Sequence, residues 1–489
     1  MNKKLGWVDF ITINSYWLGI NISSGIITPV LLPYLVVLFM PVEMKNTYLA
    51  TVRVVGLAMA MLMQPVAGLL SDRCTHAWGR RRPFIFWGAI LNVIFLAVIG
   101  ASSSFLGSPA DHFFQSLLGI TTAYAVLLAG IVLLQFSSNL AHGALQGLIP
   151  DLVPEEQRGK ASGVKAVFEL LPIFLVIFVG ALVDAGRIWL TIAIIMAGFI
   201  ITMLVTQFFV HETPLKAKSR EDVKEPILRL VGLTAIFVAV TQSAVWLVKN
   251  AGNWFITQSL ELSQQVLLIG AVGLIAMAGS ILLGVYFGAW VGIGREAPQQ
   301  KSFIWWVVNR LLFLAAIGSI QGFAQYYLKD VLHVPNPATM TTLLSAVVGL
   351  FLIPSALLGG NLADKIGRRR LVAGSGLLAT LGTLLLLLGG SIPMVLVSGS
   401  IIGLATGTFF ASNWAMGTDL VPKQDAGRYL GISNLAGAGA GIVGAGIGGP
   451  LADFFNQIQP GLGYLVIFSI YGGLFLLSTL TLTQVRETK

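Results

Sequence analysis

Long apolar segments alternate with short polar breaks along almost the whole chain. A helix needs roughly 20 mostly apolar residues to cross the hydrocarbon core of a bilayer, and fourteen segments of the sequence meet that condition. The pattern therefore predicts fourteen membrane-spanning helices, at residues 9–39, 47–70, 83–106, 118–149, 163–184, 187–210, 230–248, 266–294, 303–328, 339–362, 371–390, 394–418, 430–452 and 461–483.

The composition agrees with this pattern. Of the 489 residues, 56% are hydrophobic and 10% are charged, whereas a soluble domain carries about 25% charged residues. The charged residues fall mainly in the breaks between apolar segments, so lipid is the expected solvent for most side chains. We therefore expect an all-α membrane protein whose main partner is the lipid bilayer. The single cysteine, Cys74, excludes an internal disulfide.

The basic residues predict the orientation. Of the 30 lysines and arginines, 24 lie toward one side of the predicted membrane, including Lys165 near the start of the fifth span, four lie toward the other side, and Arg53 and Arg310 lie within spans. Cytoplasmic loops carry the excess of such residues, so we expect a multi-pass protein of the cell membrane with both termini in the cytoplasm. The topology and an attraction to anionic lipid account for the net charge of +9, and no nucleic-acid partner is expected.

Three short motifs occur twice in the chain. The pairs are GLLSDR and GRRRP at 68–73 and 79–83 with GNLADKIGRRR at 360–370, DLVP at 151–154 with DLVP at 419–422, and GALVD at 180–184 with GPLAD at 449–453. Both copies of the basic loop fall on the predicted cytoplasmic side, which indicates parallel repeats of six helices each. We expect a bundle at 1–210, a cytoplasmic linker with an inserted two-helix hairpin at 211–300, and a second bundle at 301–489.

Two parallel six-helix repeats with this loop resemble the major facilitator superfamily. The second loop fits the superfamily consensus G-x-x-x-D-[RK]-x-G-R-[RK] closely. The first loop, with Gln64-Pro65 before it and a longer interval between Asp72 and Gly79, is similar to the sucrose-transporter-like branch of the glycoside-pentoside-hexuronide cation symporters. The resemblance implies the major facilitator fold, alternating access, a small polar solute such as a sugar or glycoside, and a coupled proton.

The resemblance further implies that the basic loops and nearby acids form a cytoplasmic latch between the two halves. The alternative is a helix cap combined with charges that fix the topology. The candidate gating residues are Asp72, Arg73, Arg80, Arg81, Asp151 and Arg158 in the first half, and Asp364, Lys365, Arg368, Arg369, Asp419 and Arg428 in the second half.

A polar stripe on the fourth span supplies the first candidates for solute binding. Gln135, Asn139, His142 and Gln146 are spaced four, three and four residues apart, which places them on one helix face. A stripe of this kind indicates a lined cavity, and hydrogen bonding between helices is the alternative. Amides and imidazole both donate and accept hydrogen bonds, so they suit solutes rich in hydroxyl groups.

Other candidate binding residues lie on spans that are equivalent in the two repeats. Aromatic faces stack on sugar rings and amides bind hydroxyls, whereas an interfacial belt is the alternative role of the tyrosines. Arg53 either pairs with solute or extends to the outer headgroups. The candidates are Asn14, Tyr16, Trp17 and Asn21 on span one, Asn309, Arg310, Gln321, Gln325, Tyr326 and Tyr327 on its counterpart, and Asn413 and Trp414 later in the second repeat.

Lys165 and Glu169 form an i,i+4 pair on the fifth span. Either they neutralise each other as a structural pair, or Glu169 titrates as the coupling group, with His142 as a further candidate. The sequence departs from the sucrose–proton symporters, which carry an aspartate where Gln135 stands and an arginine where Gln146 stands. Glutamine does not ionise, so coupling uses another group or is absent, and the case for sucrose itself is weaker.

Several sequence motifs are missing. The chain has no phosphate-binding glycine loop with lysine and no HExxH or CxxC motif, so we expect no cofactor, no metal site and no enzymatic activity. A monomer is the expected state. Three other functions stay open: a sugar uniporter of the same fold, an efflux pump for lipophilic compounds, and a non-transporting membrane sensor.

Overall fold

The computed structural model describes residues 4–215, 223–294, 300–420 and 426–485, with backbone only at 292–293 and 426–436. Within these ranges the regular structure is entirely helical, with no strand, as the apolar segments predict. The helices are α1 (Trp7–Phe39), α2 (Lys45–Ser71), α3 (Arg82–Ala101), α4 (Asp111–Leu118), α5 (Thr122–Leu145), α6 (Leu148–Leu152), α7 (Arg158–Leu170), α8 (Pro172–Leu175), α9 (Val179–Asp184), α10 (Ile188–Phe209), α11 (Lys224–Ile256), α12 (Leu262–Ile293), α13 (Lys301–Asp330), α14 (Pro337–Ile366), α15 (Arg368–Leu388), α16 (Ile392–Leu420), α17 (Ala426–Ile458) and α18 (Leu462–Thr481).

Thirteen helices of the described ranges are long and apolar enough to cross a membrane. They correspond to thirteen of the fourteen predicted spans, and the protein is an integral multi-pass membrane protein. The predicted fifth span, 163–184, is instead divided among α7, α8 and α9. Pro172 begins α8 without an N–H group to continue the helical ladder, and a turn at residues 176–178 separates α8 from α9.

The described chain separates into two compact units. The first comprises Met1–Met40 and Met59–Leu228, and the second comprises Pro41–Ala58 and Arg229–Lys489. The division between the units falls once before α2, after Met40, and once within α2, after Ala58. The first part of α2 therefore belongs to the second unit and the remainder to the first. The three-part division at residues 210 and 300 stays a prediction.

The two units pair their helices in a related order. In the first unit, α1 packs against α10 and α7, while α3 packs against α5 and α10. In the second unit, α13 packs against α18 and α17, while α15 packs against α16 and α18. In both units, the first span of the repeat packs against the fifth and the sixth, and the third packs against the fourth and the sixth. Two copies of one six-helix repeat are expected to share these contacts.

The inserted hairpin, α11 and α12, packs within the second unit. α12 lies against α17, α18 and α13. Phe237 of α11 is buried, and a Cβ atom added to either Gly284 of α12 or Gly439 of α17 would overlap its ring. Two glycines thus create the space in which one phenylalanine joins the hairpin to α17.

Candidate functional site

Helices α1, α2, α5 and α7 bring polar side chains together in the first unit. α2 and α5 approach closely because Gly143 has no side chain, and a Cβ atom there would overlap the carbonyl oxygen of Gln64. Gln64 itself and His142 therefore face each other, with their side-chain nitrogens 3.5 Å apart. We call Gln64, Trp17, His142, Gln146, Lys165 and Glu169 the first-unit polar cluster.

The aromatic ring of Trp17 is the centre of this cluster. It meets the imidazole of His142 edge-to-face, with ring centroids 5.0 Å apart, and the Lys165 ammonium lies 4.1 Å from its centroid. Lys165 also pairs with Glu169 at 3.3 Å. The ammonium is therefore balanced by one carboxylate and one aromatic face, so the cluster as a whole is electrically neutral when His142 is neutral.

The amide groups define the hydrogen-bonding state of His142. Its Nε2 atom lies 3.3 Å from the Gln146 amide nitrogen and 3.5 Å from that of Gln64. Both amide nitrogens are donors, so Nε2 accepts, as a neutral imidazole does. Gln135 and Asn139, the other two residues of the predicted stripe, form a separate pair. The Asn139 side-chain nitrogen donates to the Gln135 backbone oxygen at 2.8 Å and to its side-chain oxygen at 3.2 Å.

The remaining candidates on α1 serve helix packing here. Asn14 is buried and donates to the carbonyl oxygens of Phe10 and Ala161 at 2.9 and 3.1 Å, which joins α1 to α7. Tyr16 is buried beside Asn92, whose amide nitrogen lies 3.5 Å from its hydroxyl. Asn21 donates to the carbonyl oxygen of Trp17 in its own helix. Only Trp17 of this set enters the first-unit polar cluster.

A second polar cluster lies in the second unit. Asn309 of α13 donates to the Ser478 carbonyl oxygen at 2.8 Å and to its hydroxyl oxygen at 2.9 Å. Its own amide oxygen accepts from Asn413 at 2.8 Å, and the Asn413 backbone oxygen accepts from the Trp306 indole at 2.9 Å. Asn413 is thus held on both its backbone and its side chain, in a fixed orientation.

Arg310 completes this second-unit polar cluster. Its Nη1 atom donates to the Asn413 side-chain oxygen at 3.3 Å, and its guanidinium carbon lies 5.0 Å from the centroid of Trp414. The Nε atom is buried without a hydrogen-bond partner. Farther along the same helix, Gln321 is exposed, whereas Gln325 is buried.

Arg53 occupies a different environment, in the part of α2 that belongs to the second unit. The residue is 9% exposed. Its Nη2 atom donates to the Gly318 carbonyl oxygen at 2.9 Å, its guanidinium carbon lies 5.9 Å from the Phe323 ring centroid, and its Nη1 atom has no hydrogen-bond partner. Arg53 is therefore buried in helix packing and does not extend to a headgroup region.

The arginines of the first basic loop form ion pairs with Asp72 of the same loop and with Asp151 of α6. Arg81 pairs with Asp72 and, at 2.9 Å, with Asp151, and it donates to the Ser71 hydroxyl at 2.6 Å. Arg80 also pairs with Asp151. The Arg81 guanidinium fills the space beside Gly147, where a Cβ atom would overlap it. Asp72, Asp151, Arg80 and Arg81 therefore form one ion-pair network within the first unit.

Glu212 is a member of this network that the sequence analysis missed. It follows α10 and accepts from the backbone N–H groups of Arg81 and Arg82 at 3.0 and 2.9 Å, at the start of α3. Burial raises the pKa of Glu212, and these two hydrogen bonds oppose the rise. The available signal was an acid at the end of the sixth span, where a carboxylate reaches the positive end of a neighbouring helix.

The second basic loop is more open. Arg368 pairs with Asp419 and, at 3.7 Å, with Asp364, and it donates to the Ala415 carbonyl oxygen at 2.8 Å. Lys365 of this loop is exposed and Arg369 is half-buried, as is Arg73 of the first loop. Arg158 donates to the Pro150 and Val153 carbonyl oxygens, and the side chain of Arg428 lies outside the described residues.

A further network lies at the opposite end of the second unit, where α2 begins. Lys45 pairs with Asp330 at 2.5 Å. Asp453 accepts from the backbone N–H groups of Asn46 and Thr47 at 3.2 and 2.6 Å, and from the Asn46 side chain at 2.8 Å. A carboxylate that accepts from the first N–H groups of a helix stabilises that helix end.

Comparisons with known proteins match this architecture. The sequence profile of the Major Facilitator Superfamily matches residues 22–324 and 306–489. The sucrose transport protein SUC3 of Arabidopsis thaliana is 29% identical over 149 residues, which are 30% of this chain and 24% of that protein. The minor myo-inositol transporter IolF of Bacillus subtilis (strain 168) is 38% identical over 100 residues, 20% of this chain and 22% of that protein. The matched part of the chain spans about a quarter of the length of these relatives.

Solved structures agree in fold. A crystal structure of a D-xylose-proton symporter aligns with a TM-score of 0.63 at 16% identity, covering 99% of both chains. A crystal structure of a mutant of the nucleoside transporter NupG aligns with a TM-score of 0.62 at 13% identity, covering 97% of this chain and 99% of that one. Two repeats with shared helix pairing, paired basic loops and a profile match over nearly the whole length lead to one conclusion: the chain belongs to the major facilitator superfamily and is similar to its sucrose transport proteins.

Proposed function

We propose that this protein is a secondary transporter that moves a small polar solute, a sugar or glycoside, by alternating access. The observation that carries the proposal is the first-unit polar cluster, in which Trp17, His142 and Gln64 meet on three membrane helices. Trp17 is buried behind the half-buried Gln64 and His142, whose amide and imidazole donate and accept hydrogen bonds and so suit the hydroxyls of a sugar. The similar proteins include sucrose, inositol and xylose transporters, which supports the same solute class.

We further propose that Glu169 carries the coupled proton. Glu169 lies on α7, and its carboxylate is half-buried in the first-unit polar cluster. Its partner is Lys165, which also contacts Trp17. Protonation of Glu169 would release Lys165 from the pair and change the charge next to the aromatic ring. This contact provides a direct route from proton binding to the solute site.

Uptake into proteoliposomes tests both parts of the proposal. Labelled monosaccharides and disaccharides are offered with and without an inward proton gradient. We expect saturable uptake that exceeds equilibrium only with the gradient. Glu169→Gln should allow equilibration without accumulation, because glutamine does not titrate. Glu156→Gln, which removes an exposed carboxylate nearby, is the matched control and should behave as the wild type.

The outcomes separate the alternatives. Accumulation that survives Glu169→Gln would show that another group carries the proton. Equilibration in the wild type with or without a gradient would make the protein a uniporter. Sugar flux that is absent from folded, reconstituted protein would contradict the sugar assignment and redirect the search to export of lipophilic compounds.

We propose a cell-membrane location with cytoplasmic termini, on the basis of the basic loops. Cys74, the single cysteine, lies in the first of these loops and is half-buried. A membrane-impermeant maleimide should label it only after the cells are permeabilised. A Cys74→Ser variant that carries Ser108→Cys, in the loop after α3, should label in intact cells. Labelling of Cys74 in intact cells would reverse the orientation.

A further inference from the structure

Two arginines lie within predicted spans of the second unit without an acidic partner. They are Arg53 on α2 and Arg310 on α13. Across the described residues, no carboxylate forms an ion pair with either guanidinium. Each also has one buried nitrogen with no hydrogen-bond partner, Nη1 of Arg53 and Nε of Arg310. An uncompensated cation in a membrane-spanning segment is costly and usually has a functional role.

The described acids of this unit form their ion pairs and hydrogen bonds away from the two arginines. Asp330 and Asp453 lie at one end of the unit, where they bind the start of α2. Asp364 and Asp419 lie at the other end and pair with Arg368. The first unit differs, because Lys165 there has Glu169 at 3.3 Å. Among the described residues, the second unit thus holds two buried or half-buried guanidinium groups with no paired carboxylate.

Arg310 is the more exposed of the two arginines. Arg53 is nine-tenths buried and bonded to the Gly318 carbonyl oxygen, whereas Arg310 is half-buried beside Trp414, which is 36% exposed. The neutral amide of Asn413 holds the Arg310 guanidinium in position. A neutral acceptor orients the guanidinium and leaves its full positive charge available to a ligand.

We propose that Arg310 binds an anionic group of the transported solute, so that the solute is a sugar bearing a carboxylate or a phosphate ester. The inference rests on the proposed function and specifies its substrate class. The guanidinium presents a planar fork of N–H donors that matches either anion. Trp414, which is 36% exposed and has its ring centroid 5.0 Å from that guanidinium, supplies aromatic surface for the ring of the same solute.

Matched solutes that differ only in charge test the inference. Reconstituted full-length protein is assayed for uptake of a neutral sugar, its uronate and its phosphate ester, at the monosaccharide and disaccharide levels. We expect the wild type to transport one anionic form at least about tenfold faster than the neutral form, a ratio that corresponds to one charge-assisted contact. The comparison of uronate with phosphate ester identifies the anionic group.

Arg310→Gln removes the charge and keeps an amide. It should lower the uptake of the anionic form by about tenfold or more relative to the uptake of the neutral form. Arg310→Lys keeps the charge without the planar fork of donors. Its KM for the anionic form should lie between those of the wild type and of Arg310→Gln. Lys249→Gln removes an exposed cation of the same unit and is the control that should change neither rate. Should Arg310→Gln fail to give monodisperse protein, an unchanged KM for the anionic form in Arg310→Lys would overturn the inference.

Failure of the inference differs from failure of the proposed function. Neutral sugars that are transported in preference to both anions, at rates insensitive to Arg310→Gln, would overturn the inference and leave a sugar transporter. The absence of flux for all solutes through folded protein would overturn both.

Discussion

The two basic loops share a sequence motif, yet their surroundings differ. In the first, the Arg81 side chain is 7% exposed and contacts Asp72, Asp151 and Ser71. In the second, the Arg368 side chain is 31% exposed, and its partners Asp419 and Asp364 are 50% and 71% exposed. The motif therefore specifies an arginine near an aspartate, but the burial of that arginine depends on residues elsewhere in each repeat.

Two features outside the motif account for the difference. Gly147 leaves space for the Arg81 guanidinium. Glu212 accepts hydrogen bonds from the backbone N–H groups of Arg81, which precedes α3, and of Arg82, which begins it. A buried ion pair is sensitive to loss of one member, because the other charge stays buried and unpaired. Exposed pairs contribute little, because water and salt screen them. The first loop is thus expected to stabilise its unit, and the second loop to open at small cost.

The largest expected difference comes from neutralising the central arginine of each loop. Arg81→Gln should lower the free energy of unfolding by about 3 kcal/mol, because Asp72 loses its partner and Asp151 keeps only Arg80. Arg368→Gln should lower it by less than about 1 kcal/mol. Denaturation by sodium dodecyl sulfate in mixed micelles measures both. Equal losses for the two variants would contradict the distinction between a buried and an exposed loop.

A smaller difference is expected from the acidic partners. Asp151→Asn removes a carboxylate shared by Arg80 and Arg81 and should cost about 2 kcal/mol, since Asp72 still holds Arg81. Asp419→Asn, its equivalent in the second repeat, should cost less than about 1 kcal/mol. The same micelle titration compares them, and the double variant Arg81→Gln/Asp151→Asn should be less destabilised than the sum of the two single variants.

The smallest expected effect is a pH dependence that arises from Glu212 beside the first loop. Burial raises the pKa of Glu212 above its ordinary value of 4.5, so between 4.5 and the raised pKa the folded state binds more protons than the unfolded state. This contribution to stability is present at low pH and is lost as pH rises through that window. The melting temperature of the wild type minus that of Glu212→Gln should therefore fall as pH rises from about 4.5. A difference that is constant or rises over this range would contradict the assignment.

The family, the repeats and thirteen of the fourteen predicted spans could be predicted from the sequence, because motifs and the lengths of apolar segments can be read directly from it. Two kinds of feature escaped it. Asn14 and Tyr16 pack against neighbouring helices, and Asn21 bonds within its own helix. Polarity on a membrane helix does not reveal which way the helix is rotated. Glu212 and the break at Pro172 depend on contacts or local backbone geometry that a count of apolar residues does not register.

The inserted hairpin has a consequence for how the protein is made. α12 is synthesised before α17 and α18, against which it finally packs, and four further spans enter the membrane in between. No acidic or basic residue occurs within Leu262–Ile293, so the helix is stable in lipid until those partners arrive. Because the insertion adds two crossings, the second repeat enters the bilayer with the same polarity as the first. The gain or loss of such a pair during evolution would therefore preserve the orientation of every later helix.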